Sequence, residues 1–299
     1  MGRSVKRQLV ASGRKVLSLS HANEFNVLPD GISLDLTNDR HYEQLADYSK
    51  GCEGLIHLAG RVEINLGASV DDNVAPRAIA NSAHEIYQYN VVMTARVAEF
   101  ALTAEIPHIL LASSQTVYGL PLTDIVTENA PLVPLEYYAA SKIACEAMLN
   151  LWARGNARKA TVLRFPGIWG PQRRSGLVHT LCKQAVEMKA ITIGADYPLP
   201  LDVLHCDDVA AAFDAAIDRP GTGFREYNVG TGEFCSLDCL AADIADLVPG
   251  CTIRRSGVTQ PLIALDVRRA TDELNWRARP RKERLANHIE LMRQGAISA

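Results

Sequence analysis

Long apolar runs, paired cysteines and an excess of one charge are all missing from this chain of 299 residues. No stretch reaches the roughly 18 apolar residues of a membrane-spanning helix, and the run Leu9–Ala11 is too short for the core of a signal peptide. The seven cysteines are odd in number and scattered, unlike a disulfide scaffold. We therefore expect reduced thiols, a cytoplasmic location and no membrane partner.

The charge balance also excludes classes of protein. The formal net charge is only −3, so there is no basic field that would favour a nucleic-acid partner. Cys235 and Cys239 lie four residues apart, but no second pair completes a zinc spacing, so we expect no metal. A hydrophobic fraction of 47% with 22% charged residues is typical of a folded globular chain.

Short apolar segments alternate with amphipathic ones over the first 170 residues. The predicted strands are 15–19, 54–59, 108–112 and 160–165, and the predicted helices are 39–50, 85–103 and 137–155. Such alternation indicates βαβ units and a parallel sheet covered on both faces. The predicted fold is α/β, with a Rossmann-like doubly wound sheet over residues 1–168 and a smaller region over residues 169–299. Segments near 202–231 are expected to return to the first domain.

Two residues have the spacing of an acid–base site. Tyr138 and Lys142 are four positions apart on a predicted helix, so they share a face. A nearby ammonium favours the phenolate, and we therefore expect the pKa of Tyr138 to be lowered. A tyrosine tuned in this way can exchange a proton with a hydroxyl. An ordinary surface Tyr and Lys would show the same spacing, so the motif alone is weak.

A polar segment that includes Ser113 and Ser114 directly follows the predicted strand 108–112. Residues just past the carboxyl end of a parallel strand line the usual ligand crevice. A serine hydroxyl there can hydrogen-bond a substrate oxygen, although a polar loop without a task has the same composition. The order of strand, Ser114 and then a helix with Tyr138 and Lys142 is what a shared site requires.

At this point the sequence resembles the extended short-chain dehydrogenase/reductases, the group of NAD(P)-dependent sugar epimerases and dehydratases. Six further stretches match landmarks of that family in the right order along nearly the whole chain. They are His57–Gly60, Asn90–Thr94, Leu163–Pro171, Leu204–Ala210, Tyr227–Gly230 and Leu274–Trp276. Six ordered landmarks are far more specific than any one of them.

The resemblance implies hydride exchange between NAD or NADP and a C–OH/C=O centre of a sugar. Tyr138 would be the acid and base, Lys142 would hold the nicotinamide ribose and tune Tyr138, and Ser114 would orient the reacting oxygen. A homodimer through the helices 85–103 and 137–155 is also implied. The implied cofactor contacts are Gly2, Ser20, His21, Asp35, Leu36, Leu58, Ala59, Gly60, Asn90, Tyr138, Lys142, Phe165, Pro166 and Ile168. The implied substrate contacts are Ser114, Gln115, Gly167, Arg173 and Arg174.

The N-terminus departs from the family pattern. The family opens with a strand and a G-x-x-G-x-x-G turn, whose glycines let the backbone approach the pyrophosphate. Here Gly2–Leu9 resembles the third glycine and its helix, so roughly a dozen residues with the first strand are absent. In the strand order 3-2-1-4-5-6 that strand is central, and its loss would leave two neighbours unpaired. A misassigned start codon, a shortened polypeptide and a degenerate protein are the competing explanations.

Further departures from the family pattern leave the identity of the cofactor and of the substrate open. Ser20 and His21 stand where an acid would bind a ribose 2′-hydroxyl, which favours NADP slightly over NAD. Asp35 fits either an adenine contact or a carboxylate near a helix start. Nucleotide-sugar members usually have Arg at the position of Leu201 and Asn at that of Gly167. Arg173 and Arg174 could replace those anion contacts or could be a solvated pair.

Other functions compete with the enzyme. A non-catalytic dinucleotide-binding or regulatory protein would keep the fold. The intact Ser114, Tyr138 and Lys142 argue against that alternative, and the absent glycine turn argues for it. An inactive truncated form is a third alternative. A serine hydrolase is disfavoured because no G-x-S-x-G motif occurs in the chain.

Overall fold

The computed structural model describes residues 1–36, 38–62, 83–120, 123–155, 157–173, 176–193, 202–255 and 263–297. The helices are α1 (Gly2–Ala11), α2 (Asp39–Tyr48), α3 (Met93–Thr103), α4 (Tyr137–Trp152), α5 (Leu177–Met188), α6 (Cys206–Ile217), α7 (Leu237–Asp246), α8 (Arg268–Leu274) and α9 (Arg281–Arg293). A π-helical turn, Gln88–Val92, runs directly into α3.

The strands in chain order are β1 (Leu19–His21), β2 (Asn26–Leu28), β3 (Gly31–Leu34), β4 (Leu55–His57), β5 (His108–Ser114), β6 (Ile125–Val126), β7 (Lys159–Phe165), β8 (Gly167–Trp169), β9 (Ala190–Ile193), β10 (Val203–His205), β11 (Gly223–Asn228), β12 (Thr252–Arg255) and β13 (Ala264–Leu265).

Four parallel strands form the main sheet in the order β11-β7-β5-β4. All of β5 is buried, and in β7 only the first residue is partly exposed. Ser114 pairs with Phe165 in the register of β5 against β7. Because the strands are parallel, their carboxyl ends meet at one edge, where a ligand crevice is expected.

Helices cover both faces of this sheet. Successive side chains of a strand point to opposite faces, so Leu110 packs with α1 and α6 while Leu111 packs on the side of α2 and α4. Val5 of α1 and Phe213 of α6 lie in the first of these two clusters. The α/β, Rossmann-like fold is therefore confirmed.

The sheet is divided on one side. A separate three-stranded sheet has the order β1-β3-β2, with β1 parallel and β2 antiparallel to β3. Within the described residues no ladder joins β1 to β4. All three residues of β1 are exposed, whereas strands of a parallel α/β sheet are normally buried.

The predicted boundaries of that region need one correction. We expected a strand at 15–19, but the strand is Leu19–His21. Its partner β3 begins at Gly31, and the amide of Ile32 already donates to the carbonyl of Ser18. The ladder therefore starts beside Ser18, which leaves the preceding residues without a strand partner in β3.

A second core lies towards the C-terminus. Helices α5, α7 and α9 pack around Leu181, Leu240 and Ile289. Strand β8 pairs with β10, which carries Trp169 to the border of this core. None of the helices in the described ranges is long and apolar enough to cross a membrane. The division of the chain at residue 168 stays a prediction.

Candidate active site

A cavity of about 390 Å³ lies at the carboxyl ends of β5 and β7. Helix α4 provides two of its polar side chains, Tyr138 and Lys142, and β7 provides Phe165. Among the described residues, the lining is Met1, Leu58, Gly60, Val62, Ala112, Ser113, Tyr138, Lys142, Phe165, Ile168, Trp169, Gly170, Gln172, Arg173 and Cys206.

Lys142 is buried and has hydrogen-bond donors that remain available to a ligand. Its side chain is 4% exposed, and Nζ donates to the carbonyl of Ala112 at 2.9 Å. Burial lowers the pKa of Lys142, while the neighbouring Cys145 and Glu146 raise it. An ammonium has three N–H donors, so two remain for a ligand beside the bond to Ala112.

Tyr138 faces the same cavity and forms a hydrogen bond with Ser114. The ammonium of Lys142 lies 5.7 Å from the centre of the Tyr138 ring. Burial raises the pKa of Tyr138 to about 12, and the hydrogen bond with Ser114 offsets only part of this. Our expectation of a lowered pKa is therefore wrong, because desolvation of the phenolate is the largest influence on Tyr138 and exceeds the effect of Ser114.

Ser114 is fixed by the turn that follows β5. It caps the 3-10 helix Gln115–Tyr118 and accepts hydrogen bonds from Thr116 N at 3.2 Å and from Thr116 Oγ1 at 3.0 Å. These two donors hold the Ser114 hydroxyl in place, next to Tyr138. The neighbouring Ser113, rather than Ser114, is part of the cavity lining.

Asn90 fixes the loop after β4. Its Oδ1 accepts from Arg61 N at 2.7 Å, while its Nδ2 donates to Arg61 O at 3.1 Å and to Ser141 Oγ at 2.9 Å. A Cβ on Gly60 would lie 3.1 Å from Asn90 Oδ1 and 3.3 Å from Lys142 Nζ. A side chain at this position would press on both groups, so the glycine keeps the backbone accessible to a ligand.

The N-terminus of α1 borders the same cavity through Met1. The first amides of a helix have no intrahelical acceptor and are a common binding site for phosphate. A Cβ on Gly2 would lie 3.9 Å from Leu58 Cδ1, an ordinary contact. Packing within the described structure therefore does not require the glycine that we matched to the family turn.

The predicted contacts for the other half of the cofactor lie elsewhere. Ser20 and His21 are exposed residues of β1. Asp35 follows β3, and its amide donates to His41 Nδ1 at 3.1 Å. The side chain that caps α2 belongs to Asn38, and Asp35 lies four residues before the helix begins at Asp39, so both interpretations of Asp35 stay predictions.

The cavity brings together only some of the predicted site residues. Those in its lining are Leu58, Gly60, Tyr138, Lys142, Phe165, Ile168 and Arg173. Those not in its lining are Gly2, Ser20, His21, Asp35, Leu36, Ala59, Asn90, Ser114, Gln115, Pro166 and Gly167. Arg174 and Leu201 lie outside the described residues.

Sequence reasoning missed part of the lining, including Trp169, Gly170 and Cys206. A Cβ on Gly170 would lie 2.3 Å from Cys206 Sγ, so the two residues are in close contact. Gly170 directly follows β8 and Cys206 directly follows β10, and these two strands pair with each other. Both residues stand in stretches that we matched to family landmarks, so the sequence marked these stretches as important. It did not show that the strands before them, β8 and β10, pair with each other.

One group of possible metal ligands borders the cavity. Ligand atoms of His205, Cys206 and Asp207 lie within 4.8 Å of one another. His205 Nδ1 already accepts from the amide of Asp207 at 3.2 Å, and the Asp207 carboxylate is 2.5 Å from Arg7 Nη2. These contacts are those of a helix cap and an ion pair, so we assign no metal to the group.

A doubly wound parallel sheet with a ligand crevice at its carboxyl edge is typical of dinucleotide-binding proteins, and here a cavity with Tyr138 and Lys142 lies at that edge. The family model described as the NAD dependent epimerase/dehydratase family matches residues 1–230, and the chain belongs to that family. The NAD half of the cofactor prediction is thereby confirmed, while the slight preference for NADP stays a prediction.

Individual relatives agree with the family. A UDP-glucose 4-epimerase of Mycolicibacterium smegmatis is 29% identical over 247 residues, which cover 80% of this chain and 72% of that protein. An uncharacterized UDP-glucose epimerase of Bacillus subtilis is 24% identical and covers 79% of this chain and 71% of its own length. The structure of MoeE5 in complex with UDP-glucose and NAD has a TM-score of 0.75 and 26% identity, over 99% of this chain and 96% of that one.

Proposed function

We propose that this protein is an NAD-dependent epimerase or dehydratase that acts on a nucleotide sugar at the cavity beside Tyr138. The observation that carries the proposal is the buried pair of Tyr138 and Lys142 on one cavity wall, with the buried Ser114 directly beside Tyr138. The UDP-glucose bound to MoeE5 and the UDP-glucose epimerases among the relatives support the class of substrate.

The residues present fit the nicotinamide end of NAD. Bound NAD supplies the centre that accepts or returns a hydride. The two remaining donors of Lys142 suit the vicinal hydroxyls of a ribose, and the bare backbone at Gly60 lets a ligand approach closely. The first amides of α1 suit a phosphate.

Tyr138 moves the proton in this proposal. With a pKa of about 12, it is protonated at neutral pH and enters the reaction ready to act as an acid. It becomes a base when a positive charge in the cavity stabilises its phenolate. Ser114, held by Thr116, orients the same substrate oxygen.

Arg173 is the residue that we propose for the diphosphate of the substrate. It lines the cavity, and its Nη1 donates to Ile168 O at 2.7 Å. That bond fixes the guanidinium by one nitrogen, and a guanidinium has further N–H donors that suit phosphate oxygens. The assignment matters because Leu and Gly stand at the two positions where we expected family contacts.

The test is product analysis with named probes. We expect the protein to convert UDP-glucose or UDP-galactose in the presence of NAD, with the products resolved by nuclear magnetic resonance. A C4 epimer indicates an epimerase, and a 4-keto-6-deoxy product indicates a dehydratase. Binding of NAD without conversion of any of several nucleotide sugars would contradict the proposal. It would instead favour the non-catalytic alternative, for which the divided sheet is the relevant observation.

We also propose a homodimer through α4 and the helix that ends in α3. Tyr89, Val92 and Leu151 are large apolar residues on these helices, and they are 42%, 40% and 61% exposed. The two helices pack against each other, and exposed apolar surface on adjacent elements is typical of interaction sites. Light scattering during gel filtration measures the assembly, and a monomer at micromolar concentration would contradict this part of the proposal.

A further inference from the structure

Glu146 of α4 and Arg164 of β7 form a buried ion pair outside the cavity lining. Each side chain is only 5% exposed, and Arg164 Nη2 lies 2.6 Å from Glu146 Oε2. Arg164 Nε donates to the other carboxylate oxygen at 3.1 Å, which completes a two-point contact. A buried ion pair is often no more stabilising than apolar side chains of similar volume, so stability alone does not account for it.

The pair ties α4 to the strand that carries Ser114. Ser113 Oγ donates to Glu146 Oε1 at 2.5 Å. One helical turn earlier, Lys142 Nζ donates to Ala112 O at 2.9 Å. Two successive residues of β5 are therefore bonded to two successive turns of α4, and this sets how Tyr138 stands relative to Ser114.

The pair also holds the far end of the turn that begins at Ser114. Arg164 Nη1 donates to Tyr118 Oη at 2.8 Å and to Glu128 O at 3.0 Å. Tyr118 ends the 3-10 helix that Ser114 caps, and its hydroxyl donates to Asn228 Oδ1 at 2.6 Å. The turn is therefore fixed at both ends by groups that do not touch the cavity.

We propose that Glu146 and Arg164 are positioning residues for the reaction. They hold the strand of Ser114 and the helix of Tyr138 at the separation that proton transfer requires. The inference rests on the proposed function and deepens it, since it assigns a task to two residues outside the described cavity lining. Displacement of reacting groups by about 1 Å can reduce a rate about 100-fold, so a small loss of register has a large expected effect.

The first test is Glu146→Gln, assayed with NAD and UDP-glucose. We expect kcat to fall about 10- to 100-fold, with KM for UDP-glucose and the Kd for NAD from calorimetry both within about threefold. Crystal structures of the two proteins measure the distance from Ser114 Oγ to Tyr138 Oη, and we expect it to lengthen. Glu273→Gln is the matched control, since Glu273 also pairs with an arginine through two contacts, at Arg225, and neither residue lines the cavity.

The pH profile of kcat separates positioning from a simple effect of charge. Loss of the Ser114 hydrogen bond removes a contact that lowers the pKa of Tyr138, so a positioning defect moves the rising limb to higher pH. Removal of a nearby carboxylate by itself favours the phenolate and moves the limb to lower pH. A shift to lower pH, or an unchanged profile with kcat reduced only by a smaller folded fraction, would overturn the proposal.

A milder variant keeps the proposal testable if Glu146→Gln does not fold. Tyr118→Phe removes one hydroxyl and leaves the ion pair in place, and we expect kcat to fall about 3- to 10-fold with binding unchanged. Unchanged kcat in every folded variant, with an unchanged distance from Ser114 to Tyr138, would refute the positioning role. Full activity in Tyr138→Phe would instead refute the proposed function, so the two failures are distinguishable.

Discussion

The carboxyl edge of the main sheet and the small β1-β3-β2 sheet carry the two ends of one predicted cofactor site, and they differ in burial. Ile109 and Leu111 in β5 are fully buried, whereas Leu19 in β1 is 39% exposed and Val27 in β2 is 58% exposed. The difference shows that the burial of a strand depends on its immediate partners in the sheet. The main sheet keeps its site because β5 has partners on both sides, β4 and β7, while among the described strands β1 pairs only with β3.

The largest expected effect comes from a substitution at the buried carboxyl edge of the main sheet. Lys142→Met keeps the length of the side chain but removes its charge and donors, so we expect kcat/KM to fall about 1000-fold, or about 4 kcal/mol. Lys50→Met is the control, because Lys50 is exposed and forms a surface ion pair with Asp47. Steady-state kinetics measure both variants. A Lys142→Met enzyme within threefold of wild type would contradict the assignment.

The second effect compares the stability of the two sheets. Leu111→Ala empties a fully buried position, and we expect the free energy of unfolding to fall by about 3 kcal/mol. Leu28→Ala in β2 removes a side chain that is 43% exposed, and we expect a loss below about 0.5 kcal/mol. Urea denaturation measures both. Equal losses would show that the small sheet is as firmly packed as the main one.

The third expected effect is a loss of folding stability at low pH. It concerns His57 in β4, the strand of the main sheet next to the division. His57 is buried, its Nε2 lies 3.1 Å from Thr94 Oγ1, and burial with the charge of Lys142 lowers its pKa to about 3. An unfolded histidine takes up a proton near pH 6.5. The contribution of neutral His57 is therefore full above pH 6.5 and is lost as the pH falls towards 3.

We expect His57 to account for about 2 kcal/mol of the stability lost between pH 6.5 and pH 5. Denaturation at the two pH values, in wild type and in His57→Gln, measures this share. The variant should lose less stability on acidification than the wild type. An equal loss in both proteins would show that His57 is accessible to protons in the folded state.

The smallest expected effect comes from a substitution in the exposed β1-β3-β2 sheet. His21→Asp places a carboxylate where a ribose 2′-hydroxyl would be bound. Because β1 is exposed to solvent, we expect the ratio of Kd for NADP over Kd for NAD to rise only about fivefold, or about 1 kcal/mol. Calorimetric titration with both cofactors measures it. A change above 100-fold would show that this end binds the cofactor tightly after all.

The sequence was sufficient for features that depend on local pattern and order. The apolar run at 108–112 predicted β5, and the spacing of Tyr138 and Lys142 placed both side chains on one cavity wall. These features need no knowledge of how deeply a group is buried.

Features that depend on tertiary packing were not predictable in the same way. The pKa of Tyr138 is raised and not lowered, since sequence spacing shows the nearby lysine but not the desolvation of both groups. Trp169 and Cys206 reach the cavity only because β8 pairs with β10. The contact of Glu146 with Arg164 joins residues 18 positions apart in a helix and a strand, and their shared burial was not visible in the sequence.

The most direct measurement of the central claim is turnover by Tyr138→Phe beside its neighbour Tyr137→Phe. Tyr137 is 44% exposed and differs from Tyr138 in position, while the chemical change is the same. We predict that Tyr138→Phe loses at least about 1000-fold in kcat with NAD and UDP-glucose still bound in calorimetry, and that Tyr137→Phe keeps wild-type activity. Retained turnover in Tyr138→Phe, or an equal loss in both variants, would contradict the account.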